Sequence, residues 1–420
     1  MKVFFLTLGC RVNRYETDAV RAQFIERGHE PVDDPQEADC CVVNTCTVTS
    51  EADRKSRQML RRVIRANRMA IVVAMGCASE MADGMLNADI VLGTRDKNQC
   101  VQKVEEFRNA KIHQTMHTRP EVSKTDVYHD FGTVLSPEGT RAFIKIEDGC
   151  NKFCSYCIIP YARGRVASRD FDSIIKEAKA LADAGYKEIV LTGIHICSYG
   201  QNISDLTRVI STINDIEGVA RIRMGSLEPM SITKDFVEDI AKIDKVCPHF
   251  HLSLQSGCDR ILKLMKRDYT SEEYAQRVEW IREKFPAASV TTDIICGFPE
   301  ETTRDFEESL AFAEKINFSK IHTFPYSLRE GTAAARLVQI PGGIKKARTN
   351  KLLALSQTLE NSFAQEQTGK KVSVLIEQNN SGYTENYVRA KLDKDFAPGT
   401  IVKGTVTGAD GAEIIVEADT

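Results

Sequence analysis

Cys150, Cys154 and Cys157 form a C-x3-C-x2-C run, GCNKFCSYCIIPYARGR, directly after an apolar stretch at 142–146 that reads as a strand. No other feature constrains the chain as much. Three thiolates on one short loop can hold three irons of a [4Fe-4S] cluster and leave the fourth without a protein ligand. A zinc knuckle, a ferredoxin-type carrier and unconnected cysteines are the other readings. Zinc normally takes four ligands, and no His or fourth Cys follows at finger spacing. A ferredoxin usually supplies a fourth cysteine. An open iron is a place for chemistry.

The loop belongs to a run of βα units. Strands are expected at 142–146, 188–192, 221–224, 250–254, 290–296 and 320–325, with helical stretches between them such as 172–184 and 302–315. Six units fit a partial (β/α)6 barrel better than a complete eight-stranded one, and the cysteine loop follows the first strand, where a barrel keeps its active site. Residues at the other strand ends become candidate cofactor contacts: Thr192 and Gly193, Ser226 and Glu228, Gln255 with Ser256 and Gly257, and Gly297 with Phe298. Each of them can equally serve a turn. His195, His249, His251 and His322 stand at no ligand spacing and read as structural, and Cys197 and Cys296 read as packing residues.

Residues 1–118 read as a smaller α/β domain with parallel strands at 2–8, 40–43, 70–75 and 89–92 and helices at 15–27 and 51–67. Cys10, Cys46 and Cys77 each follow one of the first three strands. Ligands gather outside the carboxyl ends of strands in an open parallel sheet. The three cysteines are therefore expected to converge as a second triad, with Gly9 and Gly76 permitting close backbone approach. The alternative is that they are ordinary buried cysteines, as Cys40 and Cys41, inside a strand, are expected to be.

A linker is expected at 119–140, the barrel over 141–365, and a small β-barrel over 366–420, where β-branched runs alternate with NNSG, PG and GADG turns. In that last region Tyr383, Tyr387 and Arg389 could meet RNA or form plain barrel surface. The net charge of −3 gives no global pull toward nucleic acid. Residues 54–68, however, hold seven basic residues and no acid, and Arg57, Arg61, Arg65 and Arg68 recur at helical spacing beside Arg54. That face is either solvated or a phosphate contact. No apolar run approaches a membrane span. Thirteen cysteines without a secretory signal point to the cytosol, with metal binding favoured over disulfides.

Along its whole length the chain resembles the radical S-adenosylmethionine (SAM) tRNA methylthiotransferases. The motifs are LGCRVNRYET, VVNTCTVTSEADRKSR, AMGC, IKIEDGCNKFCSYCIIPYARGR, LTGIH, GSLEP, HLSLQSG, MKRDYT and TTDIICGFPEET. Tyr156 matches the aromatic that often precedes the last cysteine of the triad. The wording around Cys10 and Cys46 is closest to the branch acting on N6-threonylcarbamoyladenosine. Other branches act on isopentenyladenosine in tRNA or on an Asp of a ribosomal protein.

The resemblance implies two [4Fe-4S] clusters. One, on Cys150, Cys154 and Cys157, cleaves SAM; the other, on Cys10, Cys46 and Cys77, carries the sulfur. One SAM methylates that sulfur, and a second gives the deoxyadenosyl radical that takes hydrogen from C2 of the adenosine at tRNA position 37. It also implies a C-terminal TRAM domain that binds RNA, access for the anticodon loop between the first domain and the barrel mouth, and an electron donor such as flavodoxin or ferredoxin. In that setting phosphate contact by the basic helix gains weight, and Arg163 and Arg165 become possible partners of the substrate carboxylate or of phosphate. A non-catalytic iron-sulfur protein that binds tRNA is the rival from another class.

Overall fold

The computed structural model describes residues 1–82, 86–110, 116–118, 126–135 and 139–419. The first sheet is wholly parallel, in the order β2 (Glu30–Val32), β1 (Lys2–Thr7), β3 (Cys40–Thr45), β4 (Ile71–Gly76), β5 (Ile90–Leu92) and β6 (Met116–Thr118). Every residue of β3 is buried, so its all-apolar CCVV start reads as a central strand covered on both faces. Helices α1 (Arg11–Glu26), α2 (Ser50–Ala66), α3 (Cys77–Met81) and α4 (Cys100–Ala110) follow β1, β3, β4 and β5. Cys40 and Cys41 are fully buried, as expected of packing residues. The short strands β2 (Glu-Pro-Val) and β6 (Met-His-Thr) escape sequence reading because neither offers an apolar run, unlike the equally short Ile-Val-Leu of β5.

The second unit is an arc of parallel strands. β7 (Arg141–Lys145), β10 (Glu188–Thr192) and β11 (Arg221–Met224) form one sheet; β12 (Ser226–Leu227), β13 (His249–Leu252), β14 (Ser289–Cys296) and β15 (Lys320–Pro325) form the next. β11 runs into β12 through Gly225, so six strand positions line one wall, and the described end strands β7 and β15 do not pair. The open arc matches the expected six-unit barrel. A two-stranded ribbon, β8 (Glu147–Asp148) with β9 (Ala167–Ser168), flanks the cysteine loop, which ends in α5 (Ile159–Arg163). Helices α6 (Phe171–Asp183), α7 (Ile203–Asn214), α8 (Lys234–Ile240), α9 (Asp259–Leu264), α10 (Ser271–Lys284) and α11 (Thr303–Ile316) pack the largest apolar core against the strands. Helix α12 (Gly342–Gln365) leads to the last unit.

That unit is a closed barrel of five strands: β16 (Lys371–Gln378), β17 (Ser381–Thr384), β18 (Arg389–Leu392), β20 (Glu413–Ala418) and β19 (Ile401–Asp410). The β-branched runs at 371–377, 387–391, 401–407 and 413–417 mark four of them in the sequence; β17 is hidden because Ser-Gly-Tyr-Thr looks like turn chemistry. The barrel docks on the amino-terminal ends of the arc. Arg221 donates to the Tyr383 carbonyl at 3.2 Å and to Ser373 Oγ at 2.8 Å, and Arg223 donates to the Glu385 carbonyl at 3.0 Å. In the expected linker, residues 119–125 and 136–138 lie outside the described residues. Two residues of its described part anchor it, Tyr128 Oη donating to the Lys145 carbonyl at 2.9 Å and Val134 being buried, while Val127 and Leu135 are exposed. No helix among the described residues is long and apolar enough to cross a membrane.

Candidate active site

Cys10, Cys46 and Cys77 sit at the ends of β1, β3 and β4, three neighbours in the sheet, and all three line one cavity of about 1170 Å³. Local chemistry sets each one. Cys10 is the N-cap of α1 and Cys77 opens α3, positions where helix dipoles favour negative charge. Cys46 is held at both backbone atoms, its N–H donating to Ser56 Oγ at 3.0 Å and its carbonyl accepting from the same hydroxyl at 2.9 Å. Gly9, at φ 100°, has no room for a side chain, since a Cβ there would stand 2.8 Å from the Cys46 sulfur. Burial pushes the Cys46 thiol up to about 11 and raises Cys77 as well. Three soft sulfur donors at neighbouring strand ends suit an iron-sulfur cluster.

The second triad lies on the loop between β8 and α5. Phe153 lies in the left-handed region at φ 49°, and just before it the Lys152 N–H donates to Cys150 Sγ at 3.5 Å. Ser155 fastens the loop to the barrel, its N–H donating to the Met265 carbonyl at 2.9 Å and its hydroxyl to that of Leu264 at 2.7 Å. Arg267 donates to Cys154 Sγ at 3.3 Å and to Glu228 Oε2 at 2.7 Å. Burial pushes Cys150 to about 11 and Cys157 to about 12. These cysteines do not themselves form the cavity wall; Ile159, two residues after Cys157, does.

Of the expected cofactor contacts, Thr192, Gly193 and Ser226 line the cavity beside the first triad. Tyr156, Glu228 and Gln255 do not. Tyr156 packs its ring edge-on to Phe298, 6.4 Å between centroids. Glu228 is bound to Arg267, which accounts for its burial. Gln255, at φ 69°, uses its backbone to extend the pairing with β14.

The expected RNA contacts divide in the same way. Arg54 and Arg57 are paired on their own helix to Glu51 and to Asp53 at 2.6 Å, whereas Arg61, Arg65 and Arg68 are exposed. Arg165 is exposed over the Phe153 ring. Arg163 is completely buried among Glu16, Asp148 and Asn13, so it is no surface partner for phosphate or a substrate carboxylate. Tyr387 is likewise corrected. Its ring stacks between His249 and Tyr383, 4.7 Å from each, with the guanidiniums of Arg141 and Arg223 over its ring. Those faces are spent inside the protein, and Tyr383 has one face covered by Tyr387.

Sequence reasoning missed two features. His249 and His251 alternate on β13 and so face the cavity together, joined by Thr291 and Asp293 from β14 and His322 from β15. His251 contacts Asp293 Oδ2 at 3.2 Å and Thr291 Oγ1 at 3.0 Å, and burial lowers the His322 and His249 pKa values. The i, i+2 spacing of the first two histidines was the available signal. Glu147, which opens β8 just past the first barrel strand, is fully buried; its Oε2 accepts from the His195 N–H at 2.7 Å, and burial pushes it up to about 8. Gly193 must stay small, because a Cβ there would stand 2.8 Å from that oxygen.

Family models match the Radical SAM superfamily over residues 144–313 and Uncharacterized protein family UPF0004 over residues 2–93. The threonylcarbamoyladenosine tRNA methylthiotransferase MtaB of Bacillus subtilis is 40% identical over 404 residues, covering 92% of this chain and 89% of the relative. The chain belongs to the tRNA methylthiotransferase family of radical SAM enzymes. MtaB of Aquifex aeolicus is also 40% identical, over 96% of this chain and 99% of its own. A tRNA-2-methylthio-N(6)-dimethylallyladenosine synthase of Moorella thermoacetica is 35% identical over 89% of this chain and 86% of its own. Among solved structures, the radical SAM methyltransferase TsrM of Kitasatospora setae aligns with a TM-score of 0.61 at 17% identity, covering 80% of this chain and 77% of that one, a likeness of fold. Radical SAM membership implies a [4Fe-4S] cluster and SAM.

Proposed function

We propose that this methylthiotransferase acts on C2 of N6-threonylcarbamoyladenosine at position 37 of the tRNA anticodon loop. The observation that carries the reading is the polar wall below the first triad, where His249, His251, Thr291, Asp293 and His322 face one cavity. A threonylcarbamoyl group brings a carboxylate, a hydroxyl and a urea-like unit that suit such a wall. An apolar isopentenyl chain would offer that wall no hydrogen bond, and would leave His249 Nδ1, which has no partner among the described residues, unsatisfied. The names of the two MtaB relatives point the same way.

In this reading Cys150, Cys154 and Cys157 hold the cluster that binds SAM, and Cys10, Cys46 and Cys77 hold a second. Together these groups supply a radical able to break an unactivated C–H bond and a sulfur donor for the carbon left behind. The chain supplies position and dryness. Thr192, Gly193 and Ser226 form the part of the wall at the barrel strand ends, where SAM is expected. Arg11, exposed beside Cys10 on the same wall, is a surface cation available to the threonyl carboxylate, whereas Arg163 is already engaged by Glu16 and Asp148. The phosphates of the anticodon loop run along the exposed arginines of α2, whose first turn is tied to the barrel mouth by Ser50 through Ser327 and Leu328 at 2.8 and 2.7 Å. Electrons come from a donor such as flavodoxin or ferredoxin.

The test is direct. Reconstituted enzyme is given tRNA bearing either modification, and the nucleosides are compared by mass spectrometry. Conversion of the threonylcarbamoyl substrate is expected to dominate; equal or preferred conversion of the isopentenyl substrate sinks the assignment.

A further inference from the structure

A set of charged side chains at the seam between the first domain and the barrel has no part in the reading above. Glu16 from α1, Lys97, Lys145 from β7, Asp148 from β8 and Arg163 from α5 form one cluster whose side chains are at most 3% exposed. Lys145 Nζ donates to Glu16 Oε1 at 2.7 Å and to Asp148 Oδ2 at 2.6 Å. Arg163 donates to Glu16 Oε1 at 2.9 Å, to Asp148 Oδ1 at 3.0 Å and to Asn13 Oδ1 at 2.6 Å. Lys97 is paired to Glu16 from the other side.

Three cations against two carboxylates leave one positive charge in the cluster. Arg95, also buried, adds another cation nearby and donates to the carbonyls of Arg163, Val127 and Arg165. A buried charge in excess is strongly unfavourable unless an anion stands close to it. Two observations show where that anion belongs. Arg163 Nε has no hydrogen-bond partner among the described residues, and Arg163 lines the same cavity as Cys10, Cys46 and Cys77. Helix α3, opened by Cys77, packs against α5, ended by Arg163.

We propose that this excess positive charge is the built-in counter-charge of a cluster held by Cys10, Cys46 and Cys77, and that Arg163 is a positioning residue that raises its reduction potential. The inference rests on the reading of that triad as an iron-sulfur site. A four-iron cluster on three thiolates is anionic and gains negative charge on reduction, so a cation fixed beside it in a low-dielectric seam stabilises the reduced form more. Arg163 also couples the two triads mechanically. It lies six residues after Cys157, and the carbonyl of the next residue, Gly164, accepts from the Cys150 N–H at 3.1 Å.

The measurement is a potentiometric EPR titration of the first-domain cluster in the full chain, with Cys150, Cys154 and Cys157 changed to Ala so that only that cluster reports. Arg163→Gln and Lys97→Met each remove a positive charge and should lower the midpoint. Asp148→Asn removes a negative charge and should raise it, while Arg163→Lys should stay nearest the parent. A role in packing alone would not sort the variants by charge. Midpoints that do not move, or that move in the same direction for Lys97→Met and Asp148→Asn, overturn the inference; these two also decide it if Arg163→Gln does not fold. Should the parent take up no iron, the auxiliary-cluster reading fails and this inference with it. Normal iron uptake with unsorted midpoints defeats the inference alone.

Discussion

Changing Arg61 and Arg65 together to Gln tests whether α2 is a phosphate-binding face. Both side chains are exposed and neither has an acidic partner among the described residues, in contrast to Arg57, held by Asp53 at 2.6 Å, and Arg54, held by Glu51. Unpaired cations release the most counterion when they meet phosphate. With about 0.7 counterions released per contact to a single-stranded loop, two lost contacts flatten the slope of log K against log salt by about 1.4. Raising salt from about 50 to about 200 mM should then weaken wild-type binding about sevenfold more than it weakens the double variant. Arg57→Gln alone should change the slope less than either single exposed variant, because Asp53 already neutralises part of its charge. The assay is tRNA affinity by fluorescence anisotropy at four or more salt concentrations, with deoxyadenosine formation in the absence of tRNA as a control expected not to change. A slope unaltered in the double variant, or an equal change in Arg57→Gln, refutes the reasoning and leaves α2 a solvated face.

Replacing Cys150, Cys154 and Cys157 by Ala should reduce iron from about eight to about four per chain and abolish SAM cleavage. The same change at Cys10, Cys46 and Cys77 should leave deoxyadenosine formation and remove the methylthio product. Tyr387→Ala empties the stack between His249 and Tyr383 and should cost about 2 kcal/mol in thermal or denaturant unfolding. Tyr387→Phe keeps the stack, losing only the hydroxyl that accepts from Arg141 at 2.8 Å, and should recover most of that stability. Asp305 is held well below the usual carboxylate range, first by its hydrogen bonds to Arg260 and, against the push of burial, by Thr302. A depressed carboxylate stabilises the fold above its unfolded pKa near 4 and loses that contribution as pH falls toward the folded value. Asp305→Asn should therefore cost about 2 kcal/mol at pH 7 and progressively less below about pH 4, as read from urea unfolding at several pH values.

Local pattern explains how much of the architecture was legible. The expected spans 188–192, 221–224 and 320–325 coincide with strands, because short β-branched or alternating apolar runs bounded by turns leave little choice of conformation. The first triad was legible for a related reason: cysteines at the carboxyl ends of consecutive parallel strands must emerge on one edge, and β1, β3 and β4 are neighbours. Ser381–Thr384 was lost because four residues flanked by turn-forming ones give no periodicity, and its strand character comes from pairing with β16 and β18 on either side.

The roles of particular side chains were decided elsewhere. Arg163 looks like a free cation in YARGR, yet it meets Glu16, 147 residues away, inside the seam. Tyr387 looks like a stacking platform, yet the turn at 384–388 directs it, at φ 66°, onto His249. His251, Asp293 and His322 share no sequence spacing and become neighbours because β13, β14 and β15 pair in parallel register. Conformation along a strand or helix, and the chemistry available to a cysteine run, depend on residues close in sequence, so the sequence alone determines them. Which charge is neutralised, which ring face is covered and which polar groups share a cavity depend on groups brought together across units, and those only the tertiary packing decides.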